Sequence, residues 1–416
     1  MAFVELEVIW RARELTPGKG TARLRVALVV LVAAGSLAAC SAAAGGTHTG
    51  SAGRGAAAGH AGQLGHGRDA TSASRGPVGT SRDPVRSPTS FGVGLGIVTW
   101  DETQGYTENF YEGTTQSGRV MQVEILYPTL VVKPPAVVPL AMPAYRFGPY
   151  PVIVFAHGFD VDPNTYRALL ASWAEAGYVV VAPFFPDTSL PAIEAQHGVD
   201  TESDMFNQPA DVAFVVSQVD KAAKDSPLTR VRYLAGMMNP ARLVLAGQSD
   251  GGDTIAALMY DHAYASTRAS MPIQPVALAL LSGAEWTRAQ DVYSAPSGGG
   301  PPVLVVQSLT DSCNDPAYSS QLYNMLTESK WFLALEDATH LGPYVGVSPA
   351  APVVEKVTVG FFDLATGRRN VTTQTLAQEG NQPGISTITS AASVPLYPAP
   401  TWVADGCLPP PGTPTA

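Results

Sequence analysis

The sequence predicts an α/β fold in which a mostly parallel central sheet is flanked by helices on both faces. Its apolar runs are short and continuous rather than alternating, which is typical of strands buried on both faces of a parallel sheet. Longer amphipathic stretches separate these runs, and the order strand, helix, strand, helix requires right-handed crossovers and three layers. Roughly 320 residues follow an N-terminal region that lacks folding signals, and this length suits one large domain.

The elements follow one another in a regular order. An alternating stretch at residues 119–128 ends at a proline and predicts one strand of an early antiparallel hairpin. The first helix candidate begins at Asn164 as a cap and ends at Gly177. The continuous apolar runs lie at residues 151–158, 178–183, 242–249, 276–283, 302–308 and 331–337, and the helix candidates at 164–177, 208–222, 251–262, 316–328 and 353–365.

Residues 1–40 are predicted to form an export signal. Basic side chains precede an apolar run at residues 26–40 that is too short to span a bilayer comfortably. Residues 37–40 read Leu-Ala-Ala-Cys and resemble the lipobox of bacterial lipoproteins, which implies lipidation at Cys40 and membrane attachment of an extracytoplasmic protein. Ordinary secretion without lipid is the alternative, and the long basic region leaves open a start nearer Arg23. The basic residues are Arg11, Arg13, Lys19, Arg23 and Arg25.

Composition divides the rest of the chain into three parts. Residues 41–90 are rich in Gly, Ala, Ser, Thr and Arg and predict a disordered tether, because they bury too little surface to offset chain entropy. Residues 91–370 form the predicted folded domain, and residues 371–416 form a C-terminal extension packed on it or tethered to it. Three histidines of the tether are interpreted as an accidental scatter rather than a metal site: His48, His60 and His66.

Three cysteines occur in the chain: Cys40, Cys313 and Cys407. If Cys40 carries a lipid, two cysteines remain in an oxidising compartment, and an even remainder favours one disulfide bond between Cys313 and Cys407. Two free buried thiols are the alternative.

The stretch Gly-Gln-Ser-Asp-Gly at residues 247–251 lies between an apolar run and a helix candidate. A strained strand-to-helix turn of this kind holds a nucleophilic serine, and small residues at Gly247 and Gly251 let the neighbouring backbone pass close by. The spacing therefore predicts Ser249 as a nucleophile. A polar residue in a glycine-rich loop is the alternative.

A serine hydroxyl needs a base to remove its proton and an acid to orient that base. Asp311 follows the run at 302–308, and His340 follows the run at 331–337, so both lie at the ends of predicted strands. Asp315 is the alternative acid, four residues further along the same loop. The alternative histidines are His157, His197 and His262.

Residues 155–160, Phe-Ala-His-Gly-Phe-Asp, follow the first long parallel strand. Gly158 permits a turn that points backbone N–H groups outward. We expect the N–H groups of Phe159 and Asp250 to form an oxyanion hole, and His157 to be a buried histidine bonded to the backbone.

Four motifs, HGF (157–159), YVVVAPFFPDT (178–188), NQPADVAFVVSQV (207–219) and GQSDGG (247–252), resemble the exported branch of the α/β-hydrolase superfamily. That branch includes dienelactone-hydrolase-like esterases, platelet-activating-factor acetylhydrolase-like proteins, chlorophyllases and cutinase-like polyester hydrolases. The resemblance covers roughly residues 95–365. It implies Ser249 as nucleophile, Asp311 as acid, His340 as base and the backbone of Phe159 and Asp250 as oxyanion donors. Gln248 and Ser308 depart from the pattern, since many members have His or Trp at the first position and Gly at the second.

Only 18 residues, 284–301, separate two predicted strands where related enzymes often carry a cap domain, so we expect an open cleft with no large cap. Phe159 and Trp286 are candidate apolar walls. The sequence thus predicts a monomeric serine carboxylic-ester hydrolase that acts on small-molecule or polymeric esters without metal or organic cofactor. The alternatives are an acyltransferase with the same triad and a non-catalytic surface lipoprotein. A formal net charge of −10 argues against nucleic acid as a partner.

Overall fold

The computed structural model describes residues 89–102, 118–130, 137–196, 202–224, 236–283, 293–294 and 299–397, all of which lie in one unit that spans residues 81–416. The predicted export signal and nearly all of the predicted tether lie outside these ranges. None of the described helices is both long and apolar enough to cross a lipid bilayer.

The described strands form one sheet in the order β10-β9-β8-β7-β6-β4-β5-β2-β1-β3. The six strands β4 to β9 are mutually parallel, as the continuous apolar runs predict. At one side β2 pairs antiparallel with β5 and with β1, so the predicted hairpin is present. The strands are β1 (Gly92–Glu102), β2 (Arg119–Thr129), β3 (Val137–Pro139), β4 (Tyr150–Ala156), β5 (Val179–Pro183), β6 (Met238–Gln248), β7 (Ala277–Leu281), β8 (Val303–Ser308), β9 (Lys330–Leu335) and β10 (Ser386–Thr389).

Helices cover both faces of the sheet and produce two apolar cores. One core packs α1, α7 and α8 on one face, and the other packs α3, α4 and α6 on the opposite face. Successive residues of β4 alternate between the two cores: Val152 and Val154 face one, whereas Ile153 and Phe155 face the other. The helices are α1 (Arg167–Ala176), α2 (Leu190–Ala195), α3 (Gln208–Lys224), α4 (Asp250–Tyr260), α5 (Ala265–Ser270), α6 (Pro316–Met325), α7 (Ala351–Thr366) and α8 (Thr373–Gly380).

The α/β class is confirmed, and one local expectation needs correction. Helix α1 begins at Arg167 and Asn164 does not cap it, because the Asp162 carboxylate accepts the N–H groups of Asn164 and Thr165 and forms a turn ahead of the helix. The helix does end at Gly177, whose φ of 98° is in the left-handed region. The C-terminal extension also contributes to the sheet, since β10 pairs antiparallel with β9.

A buried ion cluster supports the loop that follows β5. The Arg119 side chain is only 2% exposed and makes paired hydrogen bonds to Asp204 and to Asp211, with its shortest N···O distances at 2.7 Å. Asp187, in the loop after β5, lies 3.5 Å from the same guanidinium. Asn207 also donates to Asp204 at 2.6 Å. One guanidinium thus pairs with carboxylates from three separate segments.

We expect Arg119→Met to lower the free energy of unfolding by about 3–5 kcal/mol, because it leaves two buried carboxylates without a counter-charge. Urea denaturation measures the change. Arg242→Met removes an exposed arginine of β6 and serves as the matched control. Adding Asp204→Asn and Asp211→Asn to Arg119→Met should recover part of the loss. A shift no larger than that of the control would show that the cluster does not stabilise the fold.

Candidate active site

Ser249 lies between the end of β6 and the start of α4, and its backbone is strained. Its φ of 55° and ψ of −130° are outside the regions that residues with a side chain favour. Glycines on both sides make this turn possible. A Cβ at Gly247 would lie 2.1 Å from the carbonyl oxygen of Gly251, and one at Gly251 would lie 2.1 Å from that of Ala156. Only residues without a Cβ fit here, so the spacing of the two glycines is a steric requirement.

The structure brings Ser249, His340 and Asp311 together in one hydrogen-bonded row. His340 Nε2 lies 2.9 Å from Ser249 Oγ, and His340 Nδ1 lies 2.8 Å from Asp311 Oδ2. All three side chains are buried, with 8%, 5% and 0% exposure respectively. With the carboxylate accepting the Nδ1 proton, Nε2 is free to accept the proton of the serine hydroxyl.

Asp311 is fixed by hydrogen bonds to both of its carboxylate oxygens. The backbone N–H groups of Cys313 and Asn314 donate to Oδ1 at 2.9 and 3.0 Å, and Gln307 Nε2 donates to Oδ2 at 3.2 Å. Asp315, the alternative acid, instead caps α6 and accepts the N–H of Ala317 at 2.8 Å. The structure therefore distinguishes two aspartates that the sequence places in the same loop.

Ser308, one of the two departures from the family pattern, joins the loops that carry the acid and the histidine. Its hydroxyl donates to the carbonyl oxygen of Ala338 at 2.6 Å, two residues before His340. Thr310 exchanges two further hydrogen bonds with the backbone of Ala338, at 3.1 and 3.2 Å. A glycine at position 308 could not make the first of these contacts, so Ser308 helps to hold the two loops in register.

The alternative histidines lie elsewhere or have other partners. His262 follows α4, and its Nε2 lies 2.9 Å from Ser294 Oγ. His197 lies outside the described residues. His157 is fully buried: the Phe185 N–H donates to its Nε2 at 3.0 Å, and its Nδ1 donates to the Gly158 carbonyl oxygen at 2.7 Å. His157 therefore joins the expected oxyanion loop to the loop after β5.

Burial lowers the pKa of His157 to about 4, because the imidazolium would be desolvated among backbone groups and the ring of Phe185. An unfolded histidine titrates near 6.5, so between these values the unfolded chain binds more protons than the folded one. The stabilising effect of a neutral His157 is thus fully present above about pH 6.5 and is lost as the pH falls towards 4.

We expect the wild type to lose about 3 kcal/mol of unfolding free energy, relative to His157→Gln, between about pH 7 and pH 4. Urea denaturation of both proteins over this range measures the difference. The wild type must be compared with the variant, because other groups also make stability depend on pH. Burial raises the pKa of Asp204 to about 6 despite its hydrogen bonds to Arg119, so this carboxyl stabilises the fold as the pH falls, in both proteins alike. Parallel pH profiles for the two proteins would contradict a buried neutral His157.

The serine and histidine open into a cleft of about 310 Å³. Phe159 and Asp250, the two expected oxyanion donors, both line it, and Asp250 is the first residue of α4. N–H groups in the first turn of a helix have no partner within the helix and lie at its positive end. The cleft is lined by Gly158, Phe159, Val161, Tyr166, Glu202, Gln248, Ser249, Asp250, Cys313, Asn314, His340 and Leu341.

Several predicted residues cannot be placed. Trp286, the second candidate wall, lies outside the described residues, as do Cys40 and Cys407. Cys313 is half-buried at the edge of the cleft, and its pairing with Cys407 stays a prediction. Among the described residues, no group of three or more His, Cys, Asp or Glu side chains has the arrangement of a metal site.

Sequence reasoning missed the side chains that support the row. Gln307 donates to Asp311, and Tyr166 donates to Gln248 Oε1 at 2.6 Å within the cleft. One sign of this role was visible in the sequence: Gln248, the residue before Ser249, differs from the His or Trp of many family members. Tyr166 lies 82 positions away from it, and no local pattern indicates that the two meet.

The strand ends from which Ser249, Asp311 and His340 arise, and their order along the chain, are those of the α/β-hydrolases. The protein has the fold of that class.

Part of the sequence is similar to a known protein family, and the fold is similar to that of solved structures. Residues 106–280, less than half of the chain, match the sequence profile of the family described as Chlorophyllase. No curated protein matches the sequence significantly. Solved structures that match include ferulic acid esterase from Streptomyces cinnamoneus, with 18% sequence identity, a TM-score of 0.46, and coverage of 70% of this chain and 94% of that one. The family match supports ester hydrolysis as the general class of activity.

Proposed function

We propose that the protein is a serine carboxylic-ester hydrolase that works through an acyl-enzyme. The observation that carries the proposal is the row of Ser249, His340 and Asp311, with distances of 2.9 and 2.8 Å, at the mouth of a cleft. A hydroxyl, a neutral imidazole and a buried carboxylate in this order are the parts that acyl transfer to serine requires.

In the first half of the reaction, Ser249 Oγ attacks the ester carbonyl carbon while its proton passes to His340 Nε2. The electron pair of the carbonyl bond moves to the oxygen, and the N–H groups of Phe159 and Asp250 would stabilise the resulting negative charge. Collapse of this intermediate breaks the ester C–O bond. The leaving alcohol oxygen takes the proton from His340 Nε2, and the acyl group stays on Ser249.

In the second half, water attacks the acyl carbon and gives a proton to His340 Nε2. The new tetrahedral intermediate expels Ser249 Oγ, which recovers that proton, and the carboxylic acid leaves the cleft. Asp311 stays ionised throughout. Its two backbone donors and Gln307 hold it where it orients the imidazole and stabilises the transient imidazolium.

The substrate class follows from the opening of the cleft. The short connection between β7 and β8 leaves no length for a cap domain, so esters with bulky or polymeric alcohol parts could reach Ser249. Apolar contacts from Phe159, Val161 and Leu341 suit an acyl group of short to medium length.

The test is product analysis with a panel of p-nitrophenyl esters, lactones and polyester films, with and without an alcohol acceptor. Equal amounts of acid and alcohol, insensitive to the acceptor, support a hydrolase. Preferential formation of a new ester would instead identify an acyltransferase. Folded protein that neither turns over an ester nor reacts with a fluorophosphonate would favour a binding lipoprotein.

We further propose that the mature protein is exported and attached to the membrane through a lipid on Cys40, supported by the charged and apolar segments of residues 1–40. Wild-type protein should partition into detergent, and Cys40→Ser should remain in the aqueous phase. Mass spectrometry of non-reduced peptides tests the Cys313–Cys407 disulfide bond, and alkylation of both thiols without reductant would contradict it.

A further inference from the structure

Gln248, the residue before Ser249, connects the oxyanion loop to His340. Tyr166 OH donates to Gln248 Oε1 at 2.6 Å, and the Gly158 N–H donates to Tyr166 OH at 3.2 Å. Gln248 Nε2 lies 3.3 Å from His340 Nε2 and 3.5 Å from the His340 carbonyl oxygen. The side chains of Gln248 and Tyr166 are buried, so bulk water does not compete for these hydrogen bonds.

The hydrogen-bond donors in this chain all point towards His340. Because Tyr166 occupies the amide oxygen of Gln248, the amide NH₂ must face the imidazole. A neutral Nε2 has one lone pair, which faces the Ser249 hydroxyl at 2.9 Å, and the amide NH₂ at 3.3 Å is a second, weaker donor to the same atom. An NH₂ group cannot accept a hydrogen bond from an imidazolium. The contact therefore favours the neutral imidazole, which is the form that accepts the Ser249 hydroxyl proton.

We propose that Gln248, oriented by Tyr166, is a positioning residue that holds His340 in its unprotonated, serine-accepting state. The inference rests on the proposed function of the site. When His340 Nε2 gains a proton during the reaction, the amide shifts its hydrogen bond to the His340 carbonyl oxygen, which is already 3.5 Å away. Ser249 Oγ or the leaving group is then the acceptor that faces the imidazolium, so the proton passes onward.

Besides Gln248, charged or titratable groups lie near His340 and also affect its protonation. Asp311 faces Nδ1, and the His340 side chain is buried. Burial raises the pKa of Tyr166 and of Tyr344 far above the usual value, so both phenols are protonated. In the part of the chain that the structure describes, the other groups near the site are Asp250 and Glu202 on the cleft, Asp162 in the turn before α1, and the neutral His157.

The test is the pH profile of kcat/KM for the full-length protein. Gln248→Glu places a carboxylate within reach of Nε2, so the midpoint of the acidic limb should rise by about 1–3 pH units, while activity recovers in alkaline solution. Gln248→Met removes the donor without adding charge and should raise the midpoint by less. Tyr166→Phe removes the hydrogen bond that orients the Gln248 amide and should also raise the midpoint. A purely structural role would lower activity equally at every pH.

The control is Gln274→Glu, an exposed glutamine whose Nε2 donates to the Arg268 carbonyl oxygen. Its profile should match that of the wild type. Titration of His340 by NMR, followed through the Nδ1 proton shared with Asp311, gives a second readout that needs no substrate. If the titration midpoint of His340 is the same in Gln248→Glu and Gln248→Met as in the wild type, the inference is overturned, whether or not the wild type hydrolyses esters. A wild type without esterase activity would overturn only the proposed function.

Discussion

Ser249→Ala is expected to reduce kcat for ester hydrolysis by about 10⁶-fold, because no acyl-enzyme can form without the hydroxyl. His340 and the oxyanion donors stay in place, so the remaining rate reflects binding and electrostatic stabilisation alone. Burst kinetics with a p-nitrophenyl ester and covalent labelling by a fluorophosphonate measure the loss. Both the burst and the label should disappear.

The matched control is Ser270→Ala, which removes an exposed hydroxyl at the end of α5. It should keep the wild-type rate and label. Circular dichroism should show that Ser249→Ala is folded, since alanine keeps the Cβ and removes only the hydroxyl. Labelling that persists in folded Ser249→Ala would place the nucleophile elsewhere and contradict the proposed mechanism.

Asp311→Asn is expected to reduce kcat by about 10⁴-fold while leaving the fold intact. The N–H groups of Cys313 and Asn314 would bind the amide oxygen in place of Oδ1, at the present distances of 2.9 and 3.0 Å. The amide NH₂ would then replace Oδ2, which lies 2.8 Å from His340 Nδ1. A donor at that place forces Nδ1 to accept, so Nε2 carries the proton and cannot take one from Ser249.

Asp315→Asn is the control for Asp311→Asn, because it changes the alternative acid of the same loop in the same way. Asparagine caps helices nearly as well as aspartate, so α6 should be little affected. Rates of hydrolysis at several pH values compare the two variants. If Asp315→Asn lost as much activity as Asp311→Asn, the acid of the row would be wrongly assigned.

Much of the architecture could be predicted from local patterns. Continuous apolar runs predict strands buried on both faces, and β4 to β9 are such strands. The glycines at 247 and 251 predict the turn at Ser249, since their spacing reflects contacts within the turn itself. Parallel strands end at one edge of a sheet, so the residues that follow β6, β8 and β9 were expected to meet.

Other features depend on contacts between distant segments. The sequence favoured Asp311 and left Asp315 as the alternative. Which carboxylate faces the histidine depends on contacts between the loops after β8 and β9, which no local pattern contains. Pairing of β10 with β9 and the ion cluster around Arg119 were likewise not visible in any window of the chain.

The sequence by itself determined the class of fold, the turn that presents Ser249 and the chain order of the three candidate catalytic side chains. These depend on periodicity and on neighbours along the chain, which the sequence states directly. Only the tertiary structure decided which aspartate faces His340, how His157 anchors the expected oxyanion loop, and the path from Tyr166 through Gln248 to His340. Those contacts join residues 28 to 92 positions apart, and they form only once strand register and helix packing have fixed each backbone in space.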